Sequence, residues 1–345
     1  MGGTPWAGSP AAPAAPSGRA AGRSPTVTES AAAPSARAAD ALGPPSPYRA
    51  DLLAGQRILI TGGGTGLGRG VAERLAAHGA DVQIWGRREP VLADAAQQIA
   101  QEIADRPHPG VVTFQSVDVR DAEAVEAAVQ RIWEEHGPLT GAINNAAGNF
   151  ISPTEKLSPR GFAAITDTVM KGSYHVTHAV GRRWIEQGLP GTVLSTLVSW
   201  VHTGSAFVVP SAMAKSAVLA MTRSLAVEWA RHGIRLNAVS PGAIPTEYTS
   251  VVLGSGRRVR GDMTDLDAVP AGRAGTVAEL ANLVIFLLSD ACEYLTGQNI
   301  VMDGAQMLAG PSTFSPLTAL SEADWAEIAA QGKAAAAASR RQREG

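Results

Sequence analysis

The residues with the clearest chemical potential are a glycine-rich run, Thr61-Gly62-Gly63-Gly64-Thr65-Gly66-Leu67-Gly68, an arginine pair, Arg87-Arg88, and Lys215 at the end of Ser211-Ala212-Met213-Ala214-Lys215. Glycines at this spacing let the backbone turn tightly and approach a pyrophosphate, whose charge meets the unpaired N–H groups and positive dipole end of a following helix. By itself such a run is equally a surface turn. The flanks favour the first reading: Arg57-Ile58-Leu59-Ile60 reads as a buried strand, and the stretch from Gly66 to about Gly79 as an amphipathic helix. Gly62, Gly63, Gly64, Thr65, Gly66 and Leu67 are therefore expected to cradle a dinucleotide.

The end of the next strand, Asp81 to Trp85, selects the dinucleotide. A site for NAD places a carboxylate there to accept from the ribose 2′-hydroxyl, whereas this chain continues Gly86-Arg87-Arg88. Paired guanidinium groups hold a 2′-phosphate by charge-assisted, bidentate hydrogen bonds, so NADPH is the expected cofactor. A third strand, Val111 to Val117, ends in Asp118, a further candidate for the cofactor pocket.

These groups need a scaffold, and the rest of the chain supplies an alternating pattern. Leu139 to Asn144 is a short apolar strand, Ser158 to Gln187 a helix, Gly191 to Val198 a strand and Ser211 to Arg231 a long helix. Ile234 to Val239, a helix from Val277 to Leu288 and a strand near Asn299 to Met302 complete the pattern. Strands alternating with helices predict an α/β doubly wound parallel sheet, a Rossmann fold, with its ligand at the carboxyl ends of the strands. Residues 1–50, rich in Ala and Pro, hold too few large apolar residues for a core and are expected to be disordered. Residues 51–310 then form a single reductase-sized domain and 311–345 a helical extension.

Composition narrows the classes. A net charge of −2 argues against a nucleic-acid binder, and no run reaches the ~20 apolar residues that span a bilayer. The single cysteine, Cys292, excludes an intrachain disulfide, and the seven histidines lack metal-site spacing, so no metal is expected. Arginines at 19, 23 and 37 among Ala and Ser resemble a mitochondrial transit composition, but a cytoplasmic location is the preferred expectation.

Together these segments resemble the short-chain dehydrogenase/reductase family, and more closely its 2,4-dienoyl-CoA reductase branch. The resemblance rests on Asn144-Asn145-Ala146-Ala147-Gly148-Asn149-Phe150-Ile151-Ser152-Pro153-Thr154-Glu155, on Gly204 through Lys215, and on Gly272-Arg273-Ala274-Gly275-Thr276-Val277-Ala278-Glu279. It extends to Glu322-Ala323-Asp324-Trp325. It implies hydride transfer from NADPH to the far carbon of a 2,4-dienoyl thioester and protonation near the thioester, leaving a 3-enoyl-CoA. It further implies that Asn149 offers its amide to the thioester oxygen and that Lys215 grips the nicotinamide ribose. Pro241, Gly242, Ala243 and Ile244 would line the carboxamide, and Arg87, Arg120, Phe150 and Ser158 would contact an acyl-CoA-like substrate. A homotetramer is the expected assembly.

The departures from the wider family are equally informative. Its ketone-reducing members use a Tyr-x-x-x-Lys pair with a serine and an asparagine, and here those three positions are Ser211, Val198 and Val169. Alcohol–ketone interconversion thus lacks its acid and its carbonyl hydrogen bond. In the dienoyl-CoA branch a different tyrosine supplies the donor, and Trp200 falls at its place. Indole N–H donates but does not titrate usefully, so it stabilises an oxyanion without delivering a proton. His202 is the alternative acid, or a solvent-facing histidine. A substrate arginine expected in the branch is Val252, with Arg257, Arg258 and Arg260 as replacements or a solvated cluster. Asn149 has a turn-capping alternative, and Ser158 an N-cap alternative with Pro159 at the first helical position. Two further readings stay open: an NADP-binding protein without turnover that serves as a scaffold, and a biosynthetic reductase of another conjugated carbonyl.

Overall fold

Seven short runs, most of them aliphatic, pair into one parallel sheet. The strands are β1 (Arg57–Thr61), β2 (Asp81–Gly86), β3 (Val112–Ser116), β4 (Gly141–Asn144), β5 (Gly191–Thr196), β6 (Ile234–Pro241) and β7 (Asn299–Met302). They lie in the order β3-β2-β1-β4-β5-β6-β7 and are parallel throughout. The structure, a computed structural model, describes residues 46–246, 269–309, 317 and 320–344. Residues 1–45, with most of the expected head, and Val252, Arg257, Arg258 and Arg260 lie outside the described residues.

Helices cover both faces. α1 (Gly66–Ala76) and α2 (Glu89–Ile103) follow β1 and β2, and α3 (Ala122–His136) follows β3. α4 (Pro159–Thr166) runs through a π-helical turn, Asp167–Lys171, into α5 (Gly172–Gln187). A single turn, α6 (Trp200–Thr203), precedes α7 (Val209–Trp229), and α8 (Val277–Leu288) and α9 (Glu322–Glu344) follow, with a single helical turn at Gln306–Ala309 between them. The helix expected over Ser158 to Gln187 therefore contains a π turn, and Ser158 is its N-cap, accepting from Gly161 N–H at 3.1 Å.

Strand alternation sends Ile58 and Ile60 to one face with Leu75 of α1, Ile99 of α2 and Ile285 of α8, while Leu59 points to the other with Val129 of α3 and Val180 of α5. The first core reaches back to Tyr48, so the folded domain begins slightly before residue 51. Strand order reverses between β1 and β4, which opens a crevice at their carboxyl ends. No described helix is long and apolar enough to cross a membrane, and among the described residues no His, Cys, Asp and Glu cluster could hold a metal ion.

One charge is buried at a cost. Glu73 of α1 is only 4% exposed, and burial followed by the nearby Glu102 carboxylate raises its pKa to about 7, although Arg69 lies 3.3 Å away. A carboxyl whose pKa is raised on folding stabilises fully below its unfolded value of 4.5, and this contribution is lost as pH rises through about 7. Glu73→Gln should therefore raise the melting temperature at pH 8, by on the order of 1–3 kcal/mol of stability, with the difference vanishing near pH 5. Thermal unfolding at the two pH values checks this; equal effects at both would show that desolvation does not govern this carboxyl.

Candidate active site

The glycine run builds the crevice as its sequence requires. Gly62 sits at φ +68°, and a Cβ on Gly68 would lie 2.3 Å from the Gly62 carbonyl oxygen, so this first turn of α1 closes against the loop only without a side chain. Thr65 is the N-cap of α1, and its own side chain makes no capping hydrogen bond. The resulting pocket is lined by Gly62, Gly64, Thr65, Arg87, Arg88 and Asp118, with Ala146 and Thr168 opposite. Helix N–H groups for a pyrophosphate and two guanidinium groups at the end of β2 fit a dinucleotide carrying a 2′-phosphate.

Other expected cofactor residues act from behind. Leu67 packs into the core and Gly63 faces Ile84, so both shape the loop. Pro241 ends β6, Gly242 N–H donates to the Met302 carbonyl at 3.0 Å, Ala243 accepts from Gly275 N–H at 2.9 Å, and Ile244 is buried in the core. This segment runs on to Thr246, whose side chain lies 3.7 Å from where a Gly66 Cβ would stand, closing the crevice from the β6 side. Arg120 is drawn onto Asp118, donating from Nε to Oδ1 at 2.9 Å, and this hydrogen bond holds the Asp118 carboxyl below its usual range.

The clamp across the crevice was not read from the sequence. The Thr61 hydroxyl accepts from Asn145 N–H (3.0 Å) and Ala146 N–H (2.9 Å), and Asn145 Nδ2 donates to the Thr61 carbonyl at 3.1 Å. A Thr ending the first strand and a second Asn after the fourth were its only sequence signals.

Beyond the clamp lie the candidates for chemistry. Asn149 Oδ1 accepts from Phe150 N–H at 2.9 Å, which orients the amide. Phe150 packs on the cluster of Val169, Leu197 and Ala214, so Asn149 and the adjacent Lys215 share one end of the sheet. Lys215 is buried, Nζ donates to the Thr196 carbonyl, and burial lowers its pKa to about 8. Ser211 is buried one turn earlier, and Val169 is a core residue of the π turn. The positions that would hold a ketone are thus apolar or occupied by a short hydroxyl.

Trp200 is 6% exposed and packs with Val208 and Leu317, so its ring is part of an apolar cluster. His202 is exposed at the sheet edge, where Nε2 lies 2.8 Å from the Asn299 side-chain amide. The Asn299 side chain also lies 2.9 Å from the Ser240 hydroxyl, whose oxygen is 3.1 Å from the Val198 carbonyl.

Comparison with known proteins agrees with this geometry. Residues 62–305 match the profile described as enoyl-(acyl carrier protein) reductase. The chain is 42% identical over 260 residues to an uncharacterised oxidoreductase of Caenorhabditis elegans, covering 74% of this chain and 80% of the relative. It is 38% identical over 252 residues to a probable 2,4-dienoyl-CoA reductase, (2E)-enoyl-CoA-producing, of Bacillus subtilis, covering 73% and 96%. A crystal structure of a short chain dehydrogenase from Bacillus anthracis superposes with a TM-score of 0.64 at 36% identity, over 73% of this chain and 96% of the other. With a nucleotide crevice at the switch point of a seven-stranded parallel sheet and relatives of this kind, the chain belongs to the short-chain dehydrogenase/reductase family, among relatives named 2,4-dienoyl-CoA reductases.

Proposed function

We propose that the chain is an NADPH-dependent reductase of conjugated enoyl thioesters, most like the conversion of 2,4-dienoyl-CoA to 3-enoyl-CoA. The observation that carries the reading is the apolar replacement of the ketone machinery at Val169 and Val198 beside a retained, buried Lys215. The nicotinamide, when bound, supplies the hydride. Arg87 and Arg88 hold the 2′-phosphate, and the first turn of α1 takes the pyrophosphate.

The chain's own task is to hold a dienolate. Hydride arriving at C5 leaves negative charge shared by C4, C2 and the thioester oxygen. The Asn149 NH2 donates to that oxygen in a site where burial strengthens the interaction. Lys215, charged and buried, adds positive potential and binds the nicotinamide ribose. Protonation at C2 leaves the 3-enoyl product, whereas protonation at C4 leaves the 2-enoyl product named for the Bacillus subtilis relative. With an indole at position 200, the proton comes from water or from His202. The reading without turnover draws on the same feature, since the indole is packed into an apolar cluster.

Arg87→Ala with Arg88→Ala should weaken NADPH by about 10- to 100-fold and leave NADH nearly unchanged, because only NADPH loses charged phosphate contacts. Isothermal titration with both cofactors decides; parallel losses would mean the arginines do not read the phosphate.

Lys215 is charged below about 8 and neutral above, so kcat/KM should fall as pH rises through that value. In Lys215→Arg, which stays charged, the alkaline fall should disappear even if the rate is lower. A fall of the same shape in the arginine variant would assign it to another group.

The purified chain should oxidise NADPH with a 2,4-dienoyl-CoA and leave simple ketones untouched. Trp200→Tyr should then raise turnover by about 10²-fold, the effect of an added oxyanion donor. No change in that variant, together with loss of turnover in His202→Ala, would assign the proton to His202. Indifference to both changes, with NADPH still bound and no turnover, would favour the scaffold.

A further inference from the structure

Phe207 is a bulky residue at φ +64°, a backbone region that L side chains rarely adopt. Such an outlier persists only where its surroundings over-determine it, and here they do. Its carbonyl accepts from Ser152 N–H at 2.9 Å, which ties the segment before α7 to the segment after β4 that carries Asn149 and Phe150. Its ring lies 4.4 Å from that of Trp325, centroid to centroid, at 50°. Trp325 is presented by a fixed helix end: Ser321 N–H donates to Asp324 Oδ2 at 2.8 Å, and Asp324 N–H donates back to the Ser321 hydroxyl at 3.3 Å. One turn of α9 thereby reaches both segments, since Lys156 Nζ also lies 2.8 Å from Glu322. Leu317 completes the arrangement as a buried member of the cluster that contains Trp200.

We infer that the first turn of α9 is a working part of the substrate end of the site, in which Trp325 and Phe207 act as positioning residues that hold the Asn149 and Trp200 segments in register with each other. The inference rests on the thioester reading above. The pocket at Gly62, Arg87 and Arg88 shares no residue with this clasp, so the clasp acts on substrate placement and not on the phosphate-holding part of the cofactor site. In this strained conformation Phe207 meets Trp325 with its ring while its carbonyl accepts from Ser152 N–H.

The test uses the full chain with Trp325→Ala, Phe207→Gly, the double variant and Trp325→Phe. Phe207→Gly removes the ring while favouring the left-handed backbone, so it separates the aromatic contact from the turn. Amide hydrogen exchange over 149–157 and 199–208 should accelerate by about 10-fold in both single variants, no further in the double, and be restored in Trp325→Phe. The NADPH dissociation constant should stay within about two-fold, because sites without shared partners behave independently. With 2,4-hexadienoyl-CoA, kcat/KM should fall by about 10-fold or more, since small misplacements at a reacting centre are costly. Unchanged exchange, acceleration spread over the whole chain, or an NADPH affinity that falls in step would overturn the clasp. Accelerated exchange with undiminished turnover would do the same, by making the contact merely structural. Absence of turnover in the unaltered chain would instead overturn the thioester reading, while exchange still decides the clasp.

Discussion

The site depends on how the carboxyl ends of β1 and β4 are held together where the strand order reverses. The hydroxyl of Thr61, 2% exposed, accepts two backbone N–H groups from the segment after β4 and donates to the Ile143 carbonyl at 3.3 Å. Leaving such buried groups unpaired would cost about 1–3 kcal/mol each, so the spacing between the strands is set by chemistry as well as by packing. Gly62 on one side and Asn149 on the other inherit that spacing. Phosphate cradle and proposed enolate donor are thus positioned by the same hydroxyl.

Burial sets the charges in two different ways. At Glu73 it overrides an adjacent arginine and raises the carboxyl toward neutrality, in a place remote from the pocket where the effect bears only on stability. At Lys215 the same desolvation lowers an ammonium group to a pKa of about 8, at the end of the sheet where the proposed chemistry develops negative charge. The backbone acceptor at Thr196 fixes the lysine without neutralising it, so its charge stays available to a ligand.

The apolar character of this end carries the proposed separation from ketone reductases. Val169, Leu197 and Ala214 form one cluster under Phe150, and Trp200, Val208 and Leu317 form another against the C-terminal helix. Apolar surroundings strengthen the few donors they retain, because each acts in a low local dielectric. On the proposed reading, proton delivery falls to solvent or to His202, whose Nε2 faces the Asn299 amide.

Much of this was legible in the order of residues. The runs at Arg57, Asp81, Gly141 and Ile234 read as strands because they are short, aliphatic and bounded by turn formers, and the helix Val277–Leu288 was bounded by a Thr-Glu capping box within the chain itself. The glycine run and Arg87-Arg88 were readable for the same reason: their meaning depends on neighbours within a few positions. Ser158 as an N-cap is likewise local. What sequence order left undecided was every property that joins distant segments. The Thr61–Asn145 clamp spans 84 positions, the Lys156–Glu322 pair 166, and Arg120 could be assigned to Asp118 only once both side chains had directions. The burial that moves Lys215, the apolar surroundings of Trp200 and the left-handed Phe207 belong to the folded chain alone, because desolvation and strain are set by what packs around a residue and not by what precedes it.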